Sequence, residues 1–258
     1  MIGKDSLQPT EKPTTISNAS NKNGGESRMN TYRRTAITVG VLFIIGTVAG
    51  VLSAVVSGSI LNAPDYLIKL SANENQVTIG ALLVLIMGFA LAMIPAVLFP
   101  ILRKQNEALA LGSVVFRGAL EAVTYIAIVV ISLLLVKLSQ AYVQAGAPDA
   151  SHFQTLGTLL QEANHWVVQI LDIVFSLGAL MIYYLFYQSK LIPRWLSGWG
   201  FVGAILYLAV PLLGLLGAEL GILQAPLALQ EMVLAVWLIV KGFDSSAITS
   251  LSAKTSVN

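Results

Sequence analysis

The sequence predicts an all-α polytopic transmembrane helical bundle of six spans, with the N and C termini both in the cytoplasm. Three observations predict it: too few charges for a water-facing surface, six apolar runs of membrane-crossing length, and basic residues concentrated in alternate loops. Of the 258 residues, 56% are hydrophobic and 11% charged, whereas soluble domains carry about 25% charged residues. Mean hydropathy is +0.77. A chain so poor in charge calls for lipid as its solvent, so the bilayer is the first expected partner.

Residues 1–28 are rich in Asn, Ser, Thr, Lys and Gly and nearly devoid of apolar side chains. Such a stretch buries too little surface to offset its ordering entropy, and the expectation is a disordered polar N-terminal extension. The membrane domain then occupies residues 29–243, and a short polar tail follows over 244–258.

The first run, 35–61, contains no charge and is longer than the 7–15 apolar residues of a signal-peptide core. It reads as a first span. The others are 77–102, 111–136, 165–187, 198–218 and 222–240. About 20 predominantly apolar residues cross the hydrocarbon core, and only the sixth run is short. Pro226 falls in its first turn, where a missing N–H costs little. The segment 137–164 reads as an interfacial helix or as an extension of the fourth span.

Loop charge tests this topology independently. Lys4, Lys12, Lys22, Arg28, Arg33 and Arg34 precede the first span. Arg103, Lys104, Lys190 and Arg194 fall in the second and fourth loops, and Lys241 and Lys254 follow the sixth span. The opposite side has only Lys69 and Lys137. By the positive-inside rule the richer side is cytoplasmic. Tyr and Trp at the span ends, such as Tyr32, Tyr66, Trp166 and Trp195, fit interfacial belts.

Composition also excludes several classes of chemistry. A net charge of +2 without a basic stripe gives no nucleic-acid footprint. With no cysteine and two histidines, thiolate and histidine-rich metal sites fall away. Glu162 and His165 form one Glu-x-x-His pair, but di-iron bundles need two such pairs with facing glutamates. No P-loop, nucleophile elbow or dinucleotide fingerprint occurs. No metal or cofactor is expected, and an intramembrane enzyme is the weakest of the functional readings, because no recognised nucleophile–base or metal constellation occurs.

The informative residues are the polar ones inside spans. A charge at a helix centre costs about 2.5–3.5 kcal/mol on insertion scales. Arg117 and Glu121 in the third span, Asp172 in the fourth and Glu231 in the sixth therefore form a candidate intramembrane polar site. Arg117 lies near a span end and has a stem long enough to snorkel. Arg117 and Glu121 are spaced i, i+4 in the less favourable order, so an interhelical partner for either is expected. His165, Gln169, Asp172, Ser176 and Tyr183 recur at helical spacing along the fourth span and add His165 and Gln169 to the candidates. Converging on a cavity, these groups suit a proton-linked transporter or membrane component. Paired separately, they suit a non-catalytic interaction or sensory protein. Gly46, Gly50, Ala54 and Gly58, spaced by four, form a small-residue stripe for helix packing. It serves a contact within the bundle or, less readily, a homo-oligomer or membrane partner.

Several segments carry a resemblance: Tyr32-Arg-Arg-Thr-Ala36, Phe116-Arg-Gly-Ala-Leu-Glu121, the stretch from Leu191 through Pro193, Arg194 and Trp195 to Gly200, and Glu231 with Trp237–Phe243. Together they resemble an uncharacterised bacterial family of multi-pass membrane proteins, a domain of unknown function (DUF4386), over about residues 29–243. The resemblance implies a bacterial inner-membrane location. It supplies no substrate and no catalytic residue.

Overall fold

The computed structural model describes residues 15–61, 63–145, 150–218 and 220–255, which are helical apart from short turns. In chain order the elements are α1 (Thr15–Leu61), α2 (Tyr66–Ala72), α3 (Glu74–Leu102), α4 (Glu107–Ser113), a π-helical segment (Val114–Leu120) and α5 (Glu121–Ala145). They continue with α6 (Ala150–Ser189), α7 (Arg194–Gly214), a 3-10 turn (Gly221–Gln224), α8 (Ala225–Val240) and α9 (Ser245–Thr255).

Six helical stretches are long and apolar enough to cross a membrane: Met29–Leu61, Glu74–Leu102, Glu107–Ala145, Ser151–Ser189, Arg194–Gly214 and Gly221–Val240. The chain is a multi-pass membrane protein. Large apolar side chains such as Val55, Ile79, Val123 and Val236 stay exposed on the bundle surface, as a lipid-facing surface requires.

The spans close into a ring in which α1 touches α3, α3 touches α5, α5 touches α6, α6 touches α7, α7 touches α8, and α8 returns to α1. The π segment contacts both α3 and α6, which places it toward the centre of the ring.

Polar contacts fix the two ends. At the basic end, Lys104 donates to the Tyr32 hydroxyl at 2.8 Å, and the Arg33 guanidinium donates to the carbonyls of Leu238, Ile239 and Val240. Those are last-turn carbonyls of α8, which have no intrahelical partner of their own. At the far end, Gln161 donates to the Leu61 carbonyl at 3.3 Å, and Gln140 donates to Glu74. The core follows the same division. A large cluster around Ile94, Leu98, Tyr183 and Leu234 fills the basic half, and a smaller one around Leu70, Val77 and Leu135 fills the far end.

The helix bounds bear on several of these expectations. The helix begins at Thr15, inside the stretch expected to be disordered; extending an existing helix adds a hydrogen bond per residue without a new nucleus. Residues 1–14 lie outside the described residues. The tail is not merely polar, because α9 buries Ala247, Ile248 and Leu251 against the core. Asp244 starts that helix by accepting the Ala247 N–H at 2.9 Å. Of the two readings of segment 137–164, the extension holds over 150–164, which continue the fourth span outward as part of α6.

The small-residue stripe is only half used. A Cβ on Gly46 would meet Leu91, and one on Gly50 would meet the Met87 sulfur, so both sit tightly against α3. Ala54 is exposed, and nothing lies within 4 Å of a Cβ on Gly58. At about 100° per residue, a strict spacing of four drifts roughly 40° per step around the helix. The stripe therefore leaves the interface that Ser53 and Ser57 remain in.

Candidate intramembrane site

The third span carries the site. Asn106 opens it, its side chain accepting the Leu109 N–H at 3.0 Å, and α4 runs into the π segment holding Arg117. Such π turns inside α-helices occur frequently at functional sites. Here the neighbouring helix comes very close. A Cβ on Gly178 of α6 would lie 2.5 Å from the Arg117 Cβ and 2.7 Å from its backbone nitrogen. Only glycine permits that approach, and it delivers the Arg117 side chain to the ring interior.

Arg117 is 1% exposed. It does not snorkel. Its Nη2 lies 2.8 Å from Oε1 of Glu231 on α8, an ion pair between elements far apart in sequence. The guanidinium carbon stacks 4.3 Å from the Phe175 ring centroid and 5.7 Å from that of Phe43. These cation–π contacts help replace lost hydration. The Tyr183 hydroxyl donates to the same Glu231 oxygen at 3.4 Å. Gly200 makes room for Tyr183, since a Cβ there would lie 2.5 Å from its ring.

Glu121 follows the π segment and is completely buried. It makes no ion pair with Arg117 within 4.0 Å among the described residues, although the two interact electrostatically. Among the described residues, neither carboxyl oxygen of Glu121 has a hydrogen-bond partner, and Nη1 of Arg117 is likewise unpartnered. Two carboxyl groups thus act electrostatically on one guanidinium, and among the described residues only that of Glu231 is engaged by it directly.

Asp172 belongs to a separate group. Tyr207 of α7 donates to its Oδ1 at 3.2 Å, and Gln224 of the 3-10 turn donates to Oδ2 at 2.9 Å. Phe175 is the shared neighbour, its ring 4.8 Å from that of Tyr207 and stacked on Arg117. Gln169 lies beside Gly214 at the end of α7, where a Cβ would come within 3.1 Å of its amide nitrogen. His165 lies farther out, edge-on to Trp166 at 5.4 Å. It lines a cavity of about 750 Å³ among α1, α3, α5 and α6. No group of three His, Asp or Glu side chains among the described residues is arranged to hold a metal.

The structure therefore joins Arg117, Glu121 and Glu231, and leaves Asp172, Gln169 and His165 in other surroundings. Tyr183 lay in the polar stripe of the fourth span, but nothing in the sequence paired it with Glu231. Tyr207 and Gln224 gave no signal, because a single tyrosine inside an apolar run and a glutamine at a span end are both common.

The arrangement places the segments around Arg117, Glu121, Arg194 and Glu231 within one membrane bundle. A family model, Domain of unknown function (DUF4386), matches residues 38–242. The chain belongs to this family. The matched region includes all six spans except the start of the first, and it contains the whole Arg117–Glu121–Glu231 group. No curated protein and no solved structure matches the chain. The DUF4386 family is itself uncharacterised.

Proposed function

We propose that this DUF4386 protein is a small proton-linked transporter of the bacterial inner membrane, with its basic end in the cytoplasm and Glu121 as the proton-carrying group. The observation that supports this reading is the Glu121 carboxyl group, fully buried with both oxygens unpartnered among the described residues. A purely structural ion network satisfies its members, because an unmet buried polar group costs about 1–3 kcal/mol. Ionisable residues inside membranes are functional candidates by default.

The chemistry follows from the count of charges. With Glu231 ionised against Arg117, a protonated Glu121 leaves the group neutral. An ionised Glu121 adds one uncompensated negative charge within electrostatic range of Arg117, whose Nη1 is unpartnered among the described residues. Proton loss from Glu121 then sets it competing with Glu231 for the guanidinium. That competition couples the third span to the sixth, and through Tyr183 to the fourth. A bistable contact of this kind is what alternating access requires.

The test uses protein in vesicles with a trapped pH-sensitive dye, challenged with uncharged, cationic and anionic solutes. The wild type gives a solute-dependent pH change that Glu121→Gln abolishes while its gel-filtration profile is kept. An equal pH change in Glu121→Gln, or none with any solute in the wild type, overturns the reading.

A second reading has its own observation. Asp172 is fully served by Tyr207 and Gln224, as expected where buried charges fix helix register in a non-catalytic interaction or sensory protein. On that reading Glu121→Gln changes thermal stability and no flux.

A further inference from the structure

The cavity at the far end is distinct from the charged group and has a specific chemical character. Its polar wall is formed by Ser53, Ser57, Tyr66, Ser132, Gln161, Asn164 and His165, with no Asp, Glu, Lys or Arg among its described lining residues. Its volume of about 750 Å³ falls within the roughly 300–1,000 Å³ of small-molecule sites.

The serine hydroxyl protons on this wall are already used. Ser53 donates to the Gly80 carbonyl, Ser57 to the Ser53 carbonyl and Ser132 to the Ile128 carbonyl, each at 2.9 Å. A serine has one proton and two lone pairs, so all three present acceptors to the cavity. Gln161 spends an amide hydrogen on the Leu61 carbonyl, and its carbonyl oxygen is an acceptor too. Gly80 fixes this geometry, since a Cβ there would lie 2.6 Å from the Ser57 hydroxyl. The remaining walls are apolar, including Val84, Ile128, Leu135 and Val168.

We infer that this cavity binds an uncharged small molecule that donates hydrogen bonds, such as a primary amide or a polyol, with an apolar portion against the Val84–Ile128 wall. Among the described residues no Asp, Glu, Lys or Arg lines the cavity, so an ion of either sign would lose its hydration without gaining a carboxylate, ammonium or guanidinium partner, and both are disfavoured. On α5 the residues Ser132, Ile128, Tyr125 and Glu121 succeed one another on one helix face. Ile128 is thus about two turns, roughly 10 Å, from Glu121, with the buried Tyr125 between them. Identifying the bound class as the transported one rests on the proton-linked reading; the binding itself does not.

The chain contains no cysteine, so a single introduced thiol reports on the cavity. The full chain carrying Val168→Cys, in phosphatidylcholine vesicles, is alkylated with N-ethylmaleimide, and Ala63→Cys at the rim serves as a second reporter should the first not fold. Hexanamide is expected to slow alkylation saturably, by fivefold or more. N,N-dimethylhexanamide, which keeps the acceptor and lacks the donors, is expected to leave the rate unchanged, as are hexanoate and hexylammonium. Combining Ser57→Ala with Ser132→Ala raises the half-protecting concentration of hexanamide about tenfold. Equal protection by the dimethyl amide, stronger protection by either ion, an unreactive thiol at both positions, or indifference to the serine changes overturns the inference. The measurement needs no gradient and is repeated in Glu121→Gln. Protection kept there while flux is absent from the wild type separates a failed transport reading from a failed binding site.

Discussion

Removing one partner of the Arg117–Glu231 pair tests whether the ring interior is organised as described. The ions are 2.8 Å apart, with side-chain exposures of 1% and 11%. At an effective dielectric of about 20 and charge centres about 4 Å apart, the attraction is about 4 kcal/mol. Breaking a buried pair by deleting one partner typically costs 3–5 kcal/mol, because the surviving charge is stranded. Glu231→Met strands a guanidinium that cannot lose its proton. Glu121 within electrostatic range softens this, so the expected loss is at the lower end, about 3 kcal/mol. Arg117→Met strands carboxylates instead, which can take up protons. Its cost is smaller, and it shrinks as the pH is lowered. The double variant Arg117→Met/Glu231→Met replaces the pair with apolar volume and is expected within about 1 kcal/mol of the wild type. Reversible unfolding of the four proteins in one detergent, across a pH series, gives the cycle. Singles that add up in the double variant, or a harmless Glu231→Met, would refute the reasoning.

Three further outcomes follow from the packing. Gly178→Ala places a methyl group against the Arg117 backbone and should cost about 1–3 kcal/mol by overpacking, whereas Gly58→Ala meets nothing and should be neutral or stabilising by up to about 1 kcal/mol; thermal unfolding distinguishes them. Arg33→Met leaves the last carbonyls of α8 without their charged donor and should loosen that end by about 1 kcal/mol, read as faster amide exchange over residues 237–241. Asp244 is held below the ordinary carboxylate value of 3.8, first by the Ser246 hydroxyl and then by the Ala247 N–H. A lowered folded-state value means that its contribution is complete above the ordinary value and is lost as pH falls through the folded one. Docking of α9 should therefore weaken below about pH 4, and Asp244→Ala should abolish that acid dependence, as followed by proteolysis of the tail.

Much of the fold was legible because a bilayer imposes a coarse and strict requirement. About twenty apolar residues must come together, and the runs ending at Leu61, Leu102 and Val240 show it without any tertiary information. The α9 helix was less legible, since Ala247, Ile248 and Leu251 make a small apolar face inside a Ser- and Thr-rich stretch. The same limit affected the glycine stripe, where a spacing of four named four residues and helical drift kept two.

The sequence by itself determined the solvent, the number of spans, the family and the set of charges too costly to face lipid. It also showed that Arg117 and Glu121 were poorly placed to satisfy each other locally. Only the tertiary structure decided that Arg117 pairs with Glu231, that Asp172 turns to Tyr207 and Gln224, and that Glu121 is left unpartnered among the described residues. The physical reason lies in the difference between the two kinds of term. Transfer into lipid is a property of each segment alone and sums along the chain. Which charge meets which depends on helix rotation and on close approaches such as Gly178 against Arg117, and these exist only once the ring has closed.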